Sequence, residues 1–103
     1  MTSLPELATV RDWLDQIRDP EIPAVSITDL GIVREVRYDD GVLEVALTPT
    51  YTGCPATRVI REEVERTLRE RGVDRLRIEV RLAPAWTTDW ISARGRERLH
   101  AYG

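Results

Sequence analysis

The sequence contains one cysteine, Cys54, and one histidine, His100, and it contains no lysine, asparagine or phenylalanine. A single cysteine excludes an intrachain disulfide, and it excludes a four-cysteine metal site built from one chain. No apolar run approaches the roughly 18 residues that a membrane-spanning helix requires. No basic region precedes an apolar stretch at the N-terminus, as it would in a secretory signal. We therefore expect a cytoplasmic protein that does not bind membranes.

The residues that are present indicate one small globular domain spanning residues 1–103. The chain is 42% apolar and 32% charged, which is an ordinary balance for a globular protein, and its length supports a single core. The net charge is −3, and residues 1–57 carry four arginines against ten acidic residues. Binding to a phosphate backbone requires a basic face, so we do not expect the protein to bind nucleic acid.

The N-terminal segment predicts an amphipathic helix over residues 4–18. Ser3 and Glu6 have the spacing of a capping box, in which Ser3 is the N-cap residue. Apolar residues recur at spacings of three and four from Leu7 to Ile17. Pro20 is expected to end this helix, because proline lacks the backbone N–H that a helix interior needs.

Three later segments predict β-strands. Residues 32–38 are rich in β-branched side chains, and in residues 42–48 Leu43, Val45 and Leu47 lie on one face with Glu44 on the other. Asp39-Asp40-Gly41 separates these two segments and is typical of a hairpin turn. Residues 76–82 alternate leucine, isoleucine and valine with arginine and glutamate, which predicts a third strand with one buried face.

Two further helices complete the predicted domain. One begins near Cys54-Pro55, since proline suits the first helical position, and Gly72 is expected to end it. The last helix, over residues 88–101, has weak periodicity and is expected to be interrupted at Gly95. The order α-β-β-α-β-α predicts an α+β domain of two layers, with helices packed on a small mixed three-stranded sheet.

Cys54 is the strongest candidate for chemistry. Gly53 permits a tight turn before it, and Pro55 places it at or just before the start of a helix. Unpaired N–H groups and the positive end of the helix dipole favour a thiolate at that position. A thiolate can bind a metal ion or attack an electrophile. The alternative interpretation is a small buried apolar residue, since free cysteine is often buried.

Three carboxylates form the second candidate group. Asp19 and Glu21 lie in the segment Asp19-Pro20-Glu21, and Asp29 precedes Leu30-Gly31. Their oxygens could approach a cation. Aspartate beside proline or glycine is also ordinary turn chemistry, and we favour that interpretation for these residues.

The tryptophans and the histidine near the C-terminus have two interpretations each. Trp86 and Trp90 flank two threonines and could form an exposed binding surface, although packing over the sheet is more common. Thr87 or Thr88 could be the N-cap residue of the last helix. His100 would have to lie beside Cys54 to form a nucleophilic pair, and a solvent-exposed position is favoured instead.

Together these motifs resemble those of the metal–sulfur cluster assembly family. Its members have an Asp-Pro-Glu turn, an Asp-Leu-Gly before the first strand, a threonine-rich loop ending in Gly-Cys-Pro, and a Pro-x-Trp-Thr after the third strand. The corresponding segments here, in the same order, are Asp19–Glu21, Asp29–Gly31, Gly53–Pro55 and Pro84–Thr87. Residues 48–57 and 86–90 most resemble the branch that contains the D component of the phenylacetyl-CoA epoxidase system. Longer members of that branch continue into a cysteine-rich segment, whose zinc binding is not carried over.

The resemblance implies an iron–sulfur cluster assembly domain that supplies or matures the iron centres of an oxygenase and is not itself an enzyme. Iron–sulfur clusters usually require four thiolates or equivalent ligands. We therefore expect Cys54 to bind iron or an iron–sulfur cluster transiently, with Asp29 and Glu21 as additional metal ligands. A homodimer would supply a second thiolate. The expected partners are client oxygenase subunits or other iron–sulfur proteins.

Two alternative functions remain open. A protein-interaction scaffold would bind partners through Trp86, Thr87 and Trp90 without using metal. A small thiol enzyme would instead use Cys54 together with His100.

Overall fold

The computed structural model describes residues 4–50 and 54–102, with the backbone alone for residues 54–56. Within these ranges it contains three α-helices, one 3-10 turn and one three-stranded sheet. In chain order they are α1 (Leu7–Leu14), β1 (Val33–Asp39), β2 (Val42–Leu47), α2 (Cys54–Glu70), β3 (Leu76–Val80), the 3-10 turn (Thr88–Trp90) and α3 (Ala93–Tyr102). The predicted α+β class and the order of its elements are confirmed.

The sheet is mixed, with β2 in the centre. β1 runs antiparallel to β2, and β3 runs parallel to it, so that α2 forms the crossover between the parallel strands. Asp40 and Gly41 close the β1–β2 hairpin with φ values of 51° and 80°, and a two-residue turn with two positive φ values matches the twist of the strands. The predicted hairpin turn is confirmed.

One end of the sheet collects the segments that carry the sequence motifs. Val33 at the start of β1 pairs with Leu47 at the end of β2, which in turn pairs with Val80 at the end of β3. We call this end the carboxyl edge. The segments that precede β1, follow β2 and follow β3 all meet there.

A bulge at the start of β1 sets which side chains face the core. The pairing shifts between Val33 and Glu35, so that Arg34 is an extra residue opposite β2. Val33 and Val36 can therefore both be buried, although an odd spacing of three would place them on opposite faces of a regular strand.

The two faces of the sheet differ in polarity. Helices α1 and α2 contribute apolar side chains to one core with the inner face of the sheet, including Val10, Leu14, Ile60, Val64 and Leu68. The outer face carries charged side chains in ion pairs, namely Arg37 with Glu44, Arg77 with Glu44, and Arg81 with Glu35 and Glu79. The alternation predicted for β3 is confirmed.

The first helix is shorter than predicted. Ser3 lies outside the described residues, and the helix begins at Leu7 with Glu6 as an N-cap residue that makes no side-chain capping bond. The Tyr38 hydroxyl donates a hydrogen bond of 2.6 Å to the carbonyl of Pro5, next to Glu6, whose backbone is extended. The helix ends at Leu14, well before Pro20. Ile17 instead accepts a backbone hydrogen bond of 2.9 Å from Ile27.

Glycine ends α2 as predicted but does not interrupt α3. Gly72 has a φ of 93°, and the N–H groups of Gly72 and Val73 donate to the carbonyls of Arg69 and Leu68 in a Schellman pattern. Gly95 is buried inside the continuous helix α3, so the predicted interruption is wrong. The third strand ends at Val80 rather than residue 82, and Leu82 is 66% exposed.

Candidate functional site

Cys54 is the first residue of the 17-residue helix α2, as the sequence predicts. The helix starts just beyond the carboxyl edge, after the segment that follows β2. Ligands in open α/β sheets commonly bind outside the carboxyl ends of parallel strands. The first N–H groups of a helix have no intrahelical partner, and together with the helix dipole they stabilise a negative charge there. This backbone position therefore favours a thiolate.

A small apolar cleft lies beside the start of α2. It is lined by Ile32, Leu47, Pro49, Thr57, Ile60 and Val80. Thr57 follows Cys54 by three residues. The N–H of Thr48 donates a hydrogen bond of 2.8 Å to the carbonyl of Ile32. This bond ties the segment before β1 to the segment that leads into Cys54.

Asp29 is buried beneath α3 with both carboxylate oxygens hydrogen-bonded. Its Oδ1 accepts from Arg94 Nε at 2.7 Å, and its Oδ2 accepts from Arg98 Nη1 at 2.7 Å and from the Ser26 N–H at 3.1 Å. The side chain of Asp29 is 0% exposed. Burial disfavours the charged form, but these hydrogen bonds outweigh it and hold the pKa of Asp29 below its ordinary value.

Asp15 extends this network to the end of α1. Its Oδ1 accepts hydrogen bonds from Ser26 Oγ at 2.8 Å, from the Thr28 hydroxyl and from the Arg94 guanidinium. Burial raises the pKa of Asp15, but the bonds from Thr28, Arg94 and Ser26 exceed this effect and lower it overall. The network thus joins α1, the segment before β1, and α3.

The turn interpretation holds for the first carboxylate motif. Asp19 is buried, and its Oδ2 accepts backbone hydrogen bonds from Glu21 at 3.0 Å and Ile22 at 2.9 Å. Glu21 itself is exposed.

The described side chains offer few groups for a metal ion. No set of three or more histidine, cysteine, aspartate or glutamate side chains converges among them. Both oxygens of Asp29 accept a hydrogen bond from an arginine. Its role as a metal ligand stays a prediction, as does that of Glu21.

The two tryptophans pack on the Asp29-Leu30-Gly31 segment. Trp86 Nε1 donates a hydrogen bond of 2.7 Å to the carbonyl of Leu30, and both tryptophans are half-buried. A β-carbon at Gly31 would overlap the carbonyl oxygen of Trp90 and lie 2.6 Å from its Cβ. The Arg34 guanidinium lies 3.5 Å from the centroid of the Trp90 ring, which is a cation–π contact.

His100 has the exposed position that the sequence interpretation favours, but the predicted start and cap of the last helix are wrong. The helix α3 begins at Ala93 rather than at residue 88, and the Ser92 hydroxyl accepts a hydrogen bond of 2.9 Å from the Gly95 N–H at its start. Thr87 is the N-cap residue of the 3-10 turn, and its hydroxyl accepts a hydrogen bond from the Asp89 N–H at 3.2 Å. His100 lies on the exposed surface near the end of α3. Whether Trp86, Thr87 and Trp90 also contact a partner remains a prediction.

The sequence interpretation missed Arg94 and Arg98. Both lie on α3 with the i, i+4 spacing that places two side chains on one helix face. That spacing is the only local signal, because their partner Asp29 lies more than sixty residues earlier in the chain.

Comparison with known proteins decides the family. A sequence model of the family described as iron–sulfur cluster assembly protein matches residues 7–80. The chain belongs to this family. The expected resemblance is confirmed. The match ends at β3, before Trp86, Trp90 and α3.

Two relatives and one solved structure resemble this family member over most of its length. An Escherichia coli K12 protein, provisionally named as the D component of 1,2-phenylacetyl-CoA epoxidase, is 41% identical over 96% of this chain. The Bacillus subtilis Fe-S protein maturation auxiliary factor YitW is 36% identical, covering 77% of this chain and 78% of that protein. A domain of unknown function from Bacillus anthracis superposes with a TM-score of 0.81 at 26% identity, covering 90% of each chain.

This chain spans 60% of the length of the Escherichia coli relative. Among its described residues, no helix is long and apolar enough to cross a membrane.

Proposed function

We propose that this protein is a cytoplasmic maturation factor that carries iron or an iron–sulfur cluster transiently on the Cys54 thiolate and delivers it to a client protein. The name of the Escherichia coli relative suggests that the client is an oxygenase of the phenylacetyl-CoA epoxidase type. The name of the Bacillus subtilis relative suggests iron–sulfur proteins more generally. In this role the protein is a carrier and does not catalyse oxidation of a substrate.

The observation that carries the proposal is the start of α2 at Cys54, beyond the carboxyl edge. A helix N-terminus favours the thiolate that iron requires. The cytoplasm keeps such a thiol reduced.

The small number of ligands suits a donor. An iron–sulfur cluster usually has four thiolates or equivalent ligands, whereas one chain offers one thiolate. A homodimer would offer two, and the client or small thiols would complete the set. Iron held by so few protein ligands leaves readily, which is required of a carrier.

Client contact is proposed for the surface formed by Trp86, Thr87 and Trp90. These residues pack on the segment before β1 at the carboxyl edge. Leu82, in the segment after β3, is 66% exposed and adds apolar surface to this end of the molecule. If the protein is instead only an interaction scaffold, this surface would bind the client whether or not iron is present.

Replacing Cys54 by serine or alanine is expected to reduce the amount of bound iron to the background level. The measurement is anaerobic iron–sulfur reconstitution, followed by absorbance spectra and native mass, on the wild type and on C54S and C54A in parallel. Mass will also report whether iron is bound between two copies. Thermal unfolding of each variant shows whether the fold is kept.

The matched control is His100→Ala, which is exposed and removes the single histidine. We expect H100A to bind iron like the wild type. Equal iron binding by C54S and the wild type would contradict the proposal. Rapid alkylation of Cys54 that is lost in H100A would favour the thiol enzyme instead.

A further inference from the structure

We infer that Arg94 and Arg98 of α3 are positioning residues for the Cys54 site, acting through Asp29. This inference rests on the proposed function and deepens it. The two guanidiniums and the Asp29 carboxylate form an ion-pair cluster, which we call the Asp29 clasp. The clasp fixes the segment before β1, and Ile32 at the end of that segment lines the cleft beside the start of α2.

Polar contacts dominate the attachment of α3 to the rest of the protein. Among the described residues of α3, Gly95 alone is buried, while Leu99 is half-buried against the core. The Ser92 N–H donates a hydrogen bond of 2.9 Å to the carbonyl oxygen of Asp29. A β-carbon at Gly95 would lie 2.6 Å from that same oxygen. The helix therefore lies directly on the backbone of Asp29 as well as on its side chain.

The buried Asp29 carboxylate has a separate arginine partner on each oxygen. Arg94 reaches Oδ1 and Arg98 reaches Oδ2, each at 2.7 Å, and Arg94 also reaches Asp15 on α1. A charged side chain that is fully buried is stable only if its partners are in place. Loss of the two arginines would therefore force Asp29 to move toward water, and its backbone would move with it.

The residues after Asp29 connect it to the site. Ile32 accepts the hydrogen bond from Thr48 and lines the cleft together with Thr57. Thr48 begins the segment that leads into Cys54. A displacement of the Asp29 backbone thus reaches Ile32 in the cleft and Thr48 at the end of β2.

This placement assigns a function to α3 that differs from ligand binding. Because both Asp29 oxygens are engaged by arginines, the clasp holds the segment before β1 in place and leaves the iron to Cys54. Breaking the clasp should slow delivery to a client while leaving the Cys54 thiol available for iron.

The test compares Arg98→Gln and the double variant R94Q/R98Q with the control Glu97→Gln. Glu97 lies on the same helix with an exposed side chain. Asp29→Asn provides a second way to break the clasp if the double variant does not fold. Two measurements are made on each protein: residue-resolved hydrogen exchange, and the rate of iron transfer to an apo acceptor.

We expect R94Q/R98Q to raise exchange at the Thr48 amide and in residues 30–33 by about tenfold, with exchange in the hairpin at 38–43 unchanged. Iron loading on Cys54 should persist, and transfer should slow by about tenfold. The E97Q control should match the wild type in both measurements.

Two results would overturn the inference. One is raised exchange with unchanged transfer, which would make the clasp merely structural. The other is exchange that rises equally throughout the protein, which would indicate global destabilisation. Failure of the proposed function is a separate result, because it would appear as iron loading or transfer that C54S does not affect.

Discussion

Replacing Gly31 by alanine is expected to destabilise the protein by about 3 kcal/mol. Two costs combine at this position. Gly31 has a φ of 76°, which is unfavourable for an L-residue by roughly 1–2 kcal/mol. The new β-carbon would also overlap the carbonyl oxygen of Trp90, and a backbone group cannot move aside as the end of a side chain can. Denaturant unfolding at neutral pH measures the change.

Gly72→Ala separates these two costs. Gly72 also has a positive φ, of 93°, but a β-carbon there would meet no atom within 4 Å. We expect this variant to lose only about 1–2 kcal/mol, the conformational cost alone. Equal losses in G31A and G72A would show that Trp90 does not lie against Gly31 as described.

Replacing Asp29 by asparagine is expected to lower stability by about 2 kcal/mol at neutral pH, because hydrogen bonds to a charged group are worth about 1.5–3 kcal/mol. The variant should also reduce the sensitivity of the protein to acid. In the wild type the pKa values of Asp29 and Asp15 are lowered by folding. Their stabilisation is therefore complete above about pH 4, the ordinary pKa of aspartate, and is lost as the pH falls through the lower folded values.

The measurement is the free energy of unfolding as a function of pH for the wild type, D29N and a control, Glu35→Gln. Glu35 also pairs with an arginine, Arg81, at 2.7 Å, but both side chains are partly exposed. Solvent screens such pairs, so we expect E35Q to change the stability far less than D29N. Two results would contradict the described network. One is a wild-type free energy of unfolding that does not decrease as the pH is lowered from 4. The other is a D29N variant whose free energy of unfolding depends on pH as that of the wild type does.

The sequence was sufficient for the elements that depend on local signals. Asp40-Gly41 has the residues that a two-residue hairpin turn requires, and Gly72 has the conformational freedom that ends α2. Pro55 suits the first turn of a helix, which placed the start of α2 near Cys54. In each case the residue type and the backbone geometry determine each other within a few residues.

Local signals failed where distant segments meet. Gly95 has the residue type that commonly weakens a helix, yet α3 continues through it, because glycine there allows close contact with the Asp29 backbone. The helix start predicted at residue 4 was also wrong, because α1 begins at Leu7 after an extended Glu6, where the Tyr38 hydroxyl binds the Pro5 carbonyl. These outcomes depend on residues more than thirty positions apart, which no periodicity within one segment can reveal.

The candidate site divides in the same way. The helix start at Cys54 was predictable from its neighbours, but the Asp29 clasp was not. A carboxylate beside Leu30-Gly31 indicates a turn, and only the tertiary structure places Arg94 and Arg98 on it. These partners then decide its chemistry, because the hydrogen bonds to Asp29 outweigh the cost of burial and hold the carboxylate in its charged form.

The most direct test of the central claim is delivery of iron to a client. Wild-type protein and C54S, each incubated anaerobically with iron and sulfide and then desalted, are mixed with an apo iron–sulfur acceptor, and acceptor activity is followed over time. We predict that the wild type activates the acceptor and that C54S does no more than a blank without the factor. Equal activation by the wild type and C54S would contradict the account.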